Sequence, residues 1–428
     1  MTRPATSNAD QRLRVSDGAI AVALFLGAGA LYAGFALRLA EGRLFEYFNL
    51  AFDFDASRVL ALLAGSPPDP MGFKHPLMLY LRPLGLAVMA FDVPGKAAAA
   101  IVMAAVGAAS TSLVFLFLRL ALIARIEASA LALLFSVTGT QLVTAIIPES
   151  YGFAGLSLVI VWIIAVLRLH APERLRFASI LAAAFAMGVT ITNVIQPIIA
   201  EAALLLRHFD LRSAFRRMMR FGITLGIVMV LAALPIWWET LWGAAQDPVA
   251  ALKAVWWLQT QGETTGPIKV VENFLAYSFV SPAFTVVPLP ETTRMLDFRD
   301  WSFSPLGTVA VVGWLLFLAV GTVAGLAHPE YRRIALPIAV ALLANIVFHL
   351  DFQYRGSLYI YAAHTHFLVF ALAAGAAPWL ATMPRLRLPY AAVVLALTVL
   401  TAIVNLQMAA DFSTRFDVPD TSCPAPCS

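Results

Sequence analysis

Apolar residues in this chain come in long uninterrupted runs, not in the alternating or three-to-four spaced patterns of a water-soluble core. The runs fall at about 17–37, 97–118, 128–146, 150–167, 177–206, 221–237, 305–326, 334–350, 359–380 and 389–409. Most approach the roughly 20 apolar residues that one helical bilayer crossing requires. The run 177–206 is too long for one crossing and too short for two full ones. It carries Thr190-Ile191-Thr192-Asn193 and Pro197 near its middle, which predicts a hairpin of two short helices. Counted twice, it brings the expectation to about 11 spans in an all-α, polytopic transmembrane helix bundle. His75 to Phe91 has only about 17 residues and contains Arg82-Pro83. It is expected to lie along the membrane interface as an amphipathic helix.

Composition agrees with the pattern. Of 428 residues, 61% are hydrophobic and 13% charged, against about half and a quarter in soluble domains. A water-soluble enzyme, a disordered chain and a nucleic-acid binder are thereby excluded, and the lipid bilayer is the first partner. The excess of basic residues follows topology. The short connections 1–16, 119–127, 168–176, 207–220, 327–333 and 381–388 hold 17 of the 29 Lys and Arg. By the positive-inside rule they are cytoplasmic, with the N-terminus inside, a retained anchor at 19–37, and the C-terminus on the periplasmic side. The densest basic cluster (Arg207, Arg212, Arg216, Arg217, Arg220) is expected to meet anionic lipid head groups. The outer regions 38–96, 238–304, 351–358 and 410–428 hold 17 of the 25 acidic residues. No internal repeat is visible. The chain divides into an N-terminal module, 1–240, with its first outer loop at 38–96, and a C-terminal module, 241–428, with its loop at 238–304. Cys423 and Cys427, the only cysteines, pair locally or stay free.

Candidate chemistry crowds the outer boundary. The first outer loop contains Asp53, Asp55 and Arg58, then Lys74 and His75. A short helix is expected to begin near Asp55. Two readings are open: Asp55 merely caps that helix, or its carboxylate accepts a proton from an acceptor hydroxyl or amine while nearby cations hold a phosphate leaving group. Glu149 follows Pro148 at the outer end of a helix pair, either as an interface residue or as a site residue. Glu201 lies deeper, where an ionisable group costs roughly 2.5–3.5 kcal/mol on insertion scales. A third cluster joins Arg355 to Tyr361 and His364, the last two on one helix face, as interface anchors or phosphate ligands. His364 and His366, two apart, do not share a face. Six of the nine tryptophans fall within 237–304, as an interfacial belt or as an aromatic platform for sugar or prenyl chain.

Asp55-Ala56-Ser57-Arg58 soon after the first membrane helix, with His75-Pro76-Leu77 opening an interfacial helix, resembles the first periplasmic loop of the GT-C superfamily of membrane glycosyltransferases. The protein O-mannosyltransferases and lipid A aminoarabinose transferases are the nearest comparisons. The Pro148-Glu149-Ser150 stretch and the hairpin around Asn193 have counterparts there, and the likeness covers roughly 15–240. It implies a sugar moved from a polyprenyl-phosphate donor to an envelope acceptor at the periplasmic face of an inner membrane. Asp55, with Asp53, would be catalytic; Arg58, Lys74, His75, Glu149, Arg355, Tyr361 and His364 would bind substrate. Those relatives carry Glu where Ala56 stands here. No cofactor is required by the pattern, and a divalent metal at Asp53 and Asp55 is left open, since hard cations want several oxygen ligands. The acceptor stays unassigned.

Two other functions compete. A multi-span transporter or flippase of lipid-linked sugars is supported by the break near Asn193 and by Glu201, yet transporters usually show related halves and midplane sites. A polysaccharide ligase or polymerase is disfavoured because 238–304 contains no His.

Overall fold

The computed structural model describes residues 13–47, 50–65, 75–249, 265–288, 294–353 and 357–417. Lys74, Arg355, Cys423 and Cys427 lie outside the described residues, as do Trp256 and Trp257. The chain is an all-α helical bundle, with one small β-hairpin. Its helices are α1 (Val15–Glu41), α2 (Ala56–Leu63), α3 (Arg82–Met89), α4 (Gly95–Leu120), α5 (Arg125–Ser136), α6 (Gly139–Ile146), α7 (Ser150–Arg168), α8 (Arg176–Val189), α9 (Ile195–His208) and α10 (Leu211–Gln246). There follow α11 (Pro267–Glu272), the antiparallel strands β1 (Thr285–Pro288) and β2 (Arg294–Asp297), α12 (Pro305–Ala327), α13 (Arg332–Asp351), α14 (Ala362–Ala373) and α15 (Arg387–Asp417).

Among the described residues, 8 helices are long and apolar enough to cross a membrane, or 9 if the pair α5 and α6, bent by 61°, forms one span. The expected 11 spans are therefore not reached. The shortfall is in α8 and α9, of 14 residues each; at 1.5 Å per residue they reach only ~21 Å, against a hydrocarbon core of ~30 Å. They do form the expected hairpin. Ser179 at the start of α8 and Arg168 at the end of α7 both bond Glu201 of α9, and the His208 ring bonds the Leu169 carbonyl. Both open ends thus meet the same end of α7, and the 3-10 turn Ile191–Val194 is the tip.

Charged connections gather at that end of the bundle. Asp17 in the first turn of α1 accepts the Arg14 backbone N–H at 2.8 Å, Arg119 Nε at 3.0 Å and Arg125 Nε at 2.9 Å. Glu127 pairs with Arg387 at 2.6 Å, and Glu173 with Arg217. The partner of Glu201, which the sequence could not name, is Arg168, with both side chains buried.

Close packing depends on glycine where helices cross. A Cβ on Gly321 would come within 2.0 Å of the Ala373 carbonyl oxygen, and Gly325 lies against Gly375. This small-residue stripe lets α12 approach the end of α14 backbone to backbone. At the break between α5 and α6, backbone groups freed from the helix need partners in a medium without water. The Gly139 and Thr140 N–H groups donate to the Phe279 and Ser278 carbonyls at 3.1 and 2.8 Å. Asn405 of α15 completes the joint: its Nδ2 donates to the Val137 and Phe279 carbonyls, and its Oδ1 accepts from Ser281 N–H.

Candidate functional site

The site begins with an unusual turn. Ala51-Phe52-Asp53-Phe54 closes with Phe54 N–H on the Ala51 carbonyl at 2.9 Å, and both central residues have positive φ: 53° at Phe52 and 60° at Asp53. Such turns favour Asn-Gly, and the left-handed region costs an ordinary residue roughly 1–2 kcal/mol. Long-range contacts hold it. Phe52 N–H donates to Leu296 O at 2.8 Å and Leu296 N–H to Leu50 O at 2.9 Å, so the loop adds an edge to β2. Ser357 Oγ donates to the Phe52 carbonyl at 3.1 Å. The buried Phe52 ring sits 4.6 Å from Tyr359, 4.8 Å from Phe298 and 5.5 Å from Phe54. Beneath this cluster the buried Asp297 binds Arg299 Nε at 2.5 Å; burial pushes its carboxyl above the ordinary range.

Asp55 stands at the N-cap position of α2, as expected, but its side chain makes no capping bond. The carboxylate turns to Arg58, 3.5 Å away, and about a third of it is exposed. Its own backbone N–H is taken by Glu149 Oε2 at 2.6 Å. Glu149 in turn is the N-cap of α7: Oε1 accepts from Ser150 N–H at 2.6 Å and Ser150 Oγ at 2.8 Å. Although three donors favour its charged form, burial outweighs them. Desolvation, and next the negative charge of Asp55, raise its pKa from 4.5 to about 8. A neutral carboxyl at neutral pH thus braces the first outer loop against α7.

Aromatic and imidazole rings form the opposite wall. Tyr151, in the first turn of α7, stacks on His364 at 5.0 Å and meets Tyr361 edge-on at 5.9 Å. Tyr361 stacks on His349 at 4.6 Å. Asp53, Asp55 and Glu149 lie within electrostatic range of the Tyr151 hydroxyl, as do His75 and His349 of His364. His75 is held by Nδ1, 2.7 Å from the Val189 carbonyl, and so carries its proton there; Leu77 N–H donates to Gly188 O at 2.8 Å. The short hairpin allows this: its tip stops below the far surface, and the 75–77 segment descends onto it. Gln196, just past the tip, donates to the His364 carbonyl at 2.5 Å and accepts from Trp162 Nε1 at 3.0 Å.

Of the residues proposed from sequence, Asp53, Asp55, Arg58, His75, Glu149, Tyr361 and His364 therefore gather at one place, while Lys74 and Arg355 fall outside the described residues. His366 points elsewhere, to Thr138 Oγ1 at 2.8 Å. Sequence reasoning missed Tyr151, His349 and Gln196. For His349 there was a signal, an ionisable group inside an apolar run; Tyr151 and Gln196 had none. The buried Nε2 atoms of His349 and His364 have no hydrogen-bond partner among the described residues, which offers a ligand two polar contacts. Among the described residues no three His, Cys, Asp or Glu side chains are grouped to hold a metal ion. Trp238 and Trp242 stack at 5.9 Å and are exposed; Trp301, also exposed, packs on Tyr277.

No protein-family model and no curated protein matches the chain. Among solved structures it is similar to the arabinofuranosyltransferase AftD from Mycobacteria, over 92% of this chain and 27% of that one, at 15% identity and a TM-score of 0.47. It is also similar to the apo oligosaccharyltransferase of Archaeoglobus fulgidus, over 93% of this chain and 57% of that one, at 13% identity and a TM-score of 0.49. The chain spans about a quarter of the first and little over half of the second.

Proposed function

We propose that the protein is a membrane glycosyltransferase of the GT-C kind, which moves a sugar from a polyprenyl-phosphate donor to an envelope acceptor on the periplasmic side. One observation carries the reading. Asp55 heads a helix without capping it, so its partly exposed carboxylate turns outward beside Arg58 while Glu149 fixes its backbone. In the reaction the bond between the sugar's anomeric carbon and the phosphate oxygen breaks, and a bond to the acceptor oxygen or nitrogen forms. The acceptor proton passes to Asp55, and polyprenyl phosphate leaves with the bonding pair. Arg58, with Lys74 and Arg355, balances the phosphate charge; His75, Tyr361 and His364 position the sugar. The 1–240 module supplies the carboxylates, the 241–428 module the Tyr361 and His364 wall. The orientation assigned to the chain, N-terminus cytoplasmic and C-terminus periplasmic in an inner membrane, belongs to the same proposal.

The test is transfer of labelled sugar from polyprenyl-phosphate donors in membranes. Asp55→Asn is expected to lower turnover by roughly 10²–10⁴-fold without loss of folded protein. Retained turnover removes Asp55 from the mechanism. Passage of the lipid-linked sugar across vesicles with no covalent transfer establishes a flippase instead.

A further inference from the structure

A second feature lies at the opposite end of the bundle, among the charged connections. A shallow crevice opens between α7, α9 and α13. Its walls are apolar: Trp162 and Val166, Ala200 and Leu204, Ile334 and Pro337. At its mouth stand Arg207, in the last turn of α9, and Arg333, in the first turn of α13. The two guanidinium groups repel each other, and the nearby carboxylate, Glu330, is engaged by Arg333 at 2.5 Å. The mouth therefore keeps a net positive charge, beside a helix N-terminus whose N–H groups also favour an anion. Leu167, Leu206 and Leu336 beside the crevice are exposed, as side chains facing hydrocarbon are.

We propose that this crevice binds one anionic glycerophospholipid of the surrounding leaflet, its phosphate held by Arg207 and Arg333 and one acyl chain laid between α7, α9 and α13. Charge complementarity selects the head group. The apolar walls, two of them on α7 and α13, helices long and apolar enough to span, select a lipid over a free anion. The lipid ties the short hairpin, which Arg168 and Glu201 anchor from one side, to α13 on the other. The inference stands apart from the reaction proposed above.

Native mass spectrometry of the detergent-purified full chain tests it, after incubation with phosphatidylglycerol and phosphatidylcholine of matched acyl chains. The wild type is expected to retain one phosphatidylglycerol over phosphatidylcholine by roughly tenfold or more, as two basic contacts would give. Arg207→Ala with Arg333→Ala removes that preference. Ala203→Phe, which fills the crevice and keeps both charges, also lowers retention, whereas Arg216→Ala on exposed α10 does not. Equal retention of the two lipids by the wild type overturns the proposal without recourse to any variant. So does an unchanged adduct in the double variant or in Ala203→Phe, or displacement of the lipid by inorganic phosphate alone.

Discussion

The protonation of Glu149 can be read from stability. In the unfolded chain its carboxyl titrates near the ordinary 4.5; in the fold, burial and the charge of Asp55 move it to about 8. Between those values the folded chain holds a proton that the unfolded chain has lost. Its contribution is fully present below pH 4.5 and disappears as pH rises to about 8, after which both states are ionised. Each pH unit in that window costs about 1.4 kcal/mol, so the whole window sums to about 5 kcal/mol. Glu149→Gln replaces the neutral carboxyl by an isosteric amide that does not titrate, and keeps an acceptor for the Asp55 N–H. The assay is thermal unfolding of both proteins in detergent from pH 5 to 9.5. Wild type is expected to lose stability relative to Glu149→Gln up to about pH 8, and the difference then to level. A difference that stays level across the whole range would show that the three donated hydrogen bonds win, with Glu149 ionised throughout, and would refute the reasoning.

Three other outcomes follow from named contacts. Glu149→Ala leaves the Asp55 N–H and the α7 N-terminus without their acceptor, at about 1–3 kcal/mol for each buried donor stranded; it should lower both melting temperature and transfer, where Glu149→Gln keeps transfer near neutral pH. Phe52→Ala empties the centre of the aromatic cluster and should cost about 3–5 kcal/mol, visible as faster proteolysis of the first outer loop. Arg168→Met strands buried Glu201, for a loss of about 3–5 kcal/mol, and the double variant Arg168→Met with Glu201→Leu should recover most of it in the same melt.

Some of this was legible in the chain before any coordinates. Apolar runs mark membrane helices because the bilayer imposes its length locally, residue by residue, so α1, α4, α7, α12 and α13 could be placed within a few residues, while α15 runs eight residues past its apolar stretch. The hairpin at 177–206 was legible from the polar stretch that interrupts it. So was the short helix that begins at Asp55, since a carboxylate before an apolar helical stretch is a usual start signal; the role of the residues around it was not.

What the sequence left open needed distance in the third dimension. That the backbone of Asp55 is tied to α7 depends on Glu149, 94 positions away, which accepts its N–H. Phe52 and Asp53 reveal nothing of their left-handed backbone, since neither is Gly or Asn; β2, Ser357 and the ring cluster impose it. Tyr151 and His349 join the wall only because α7, α13 and α14 bring their rings together. Helix formation is decided by near neighbours and by the solvent, so composition and order suffice for it. A site is decided by which polar groups find no water and must satisfy one another, and only the packed bundle settles those partners.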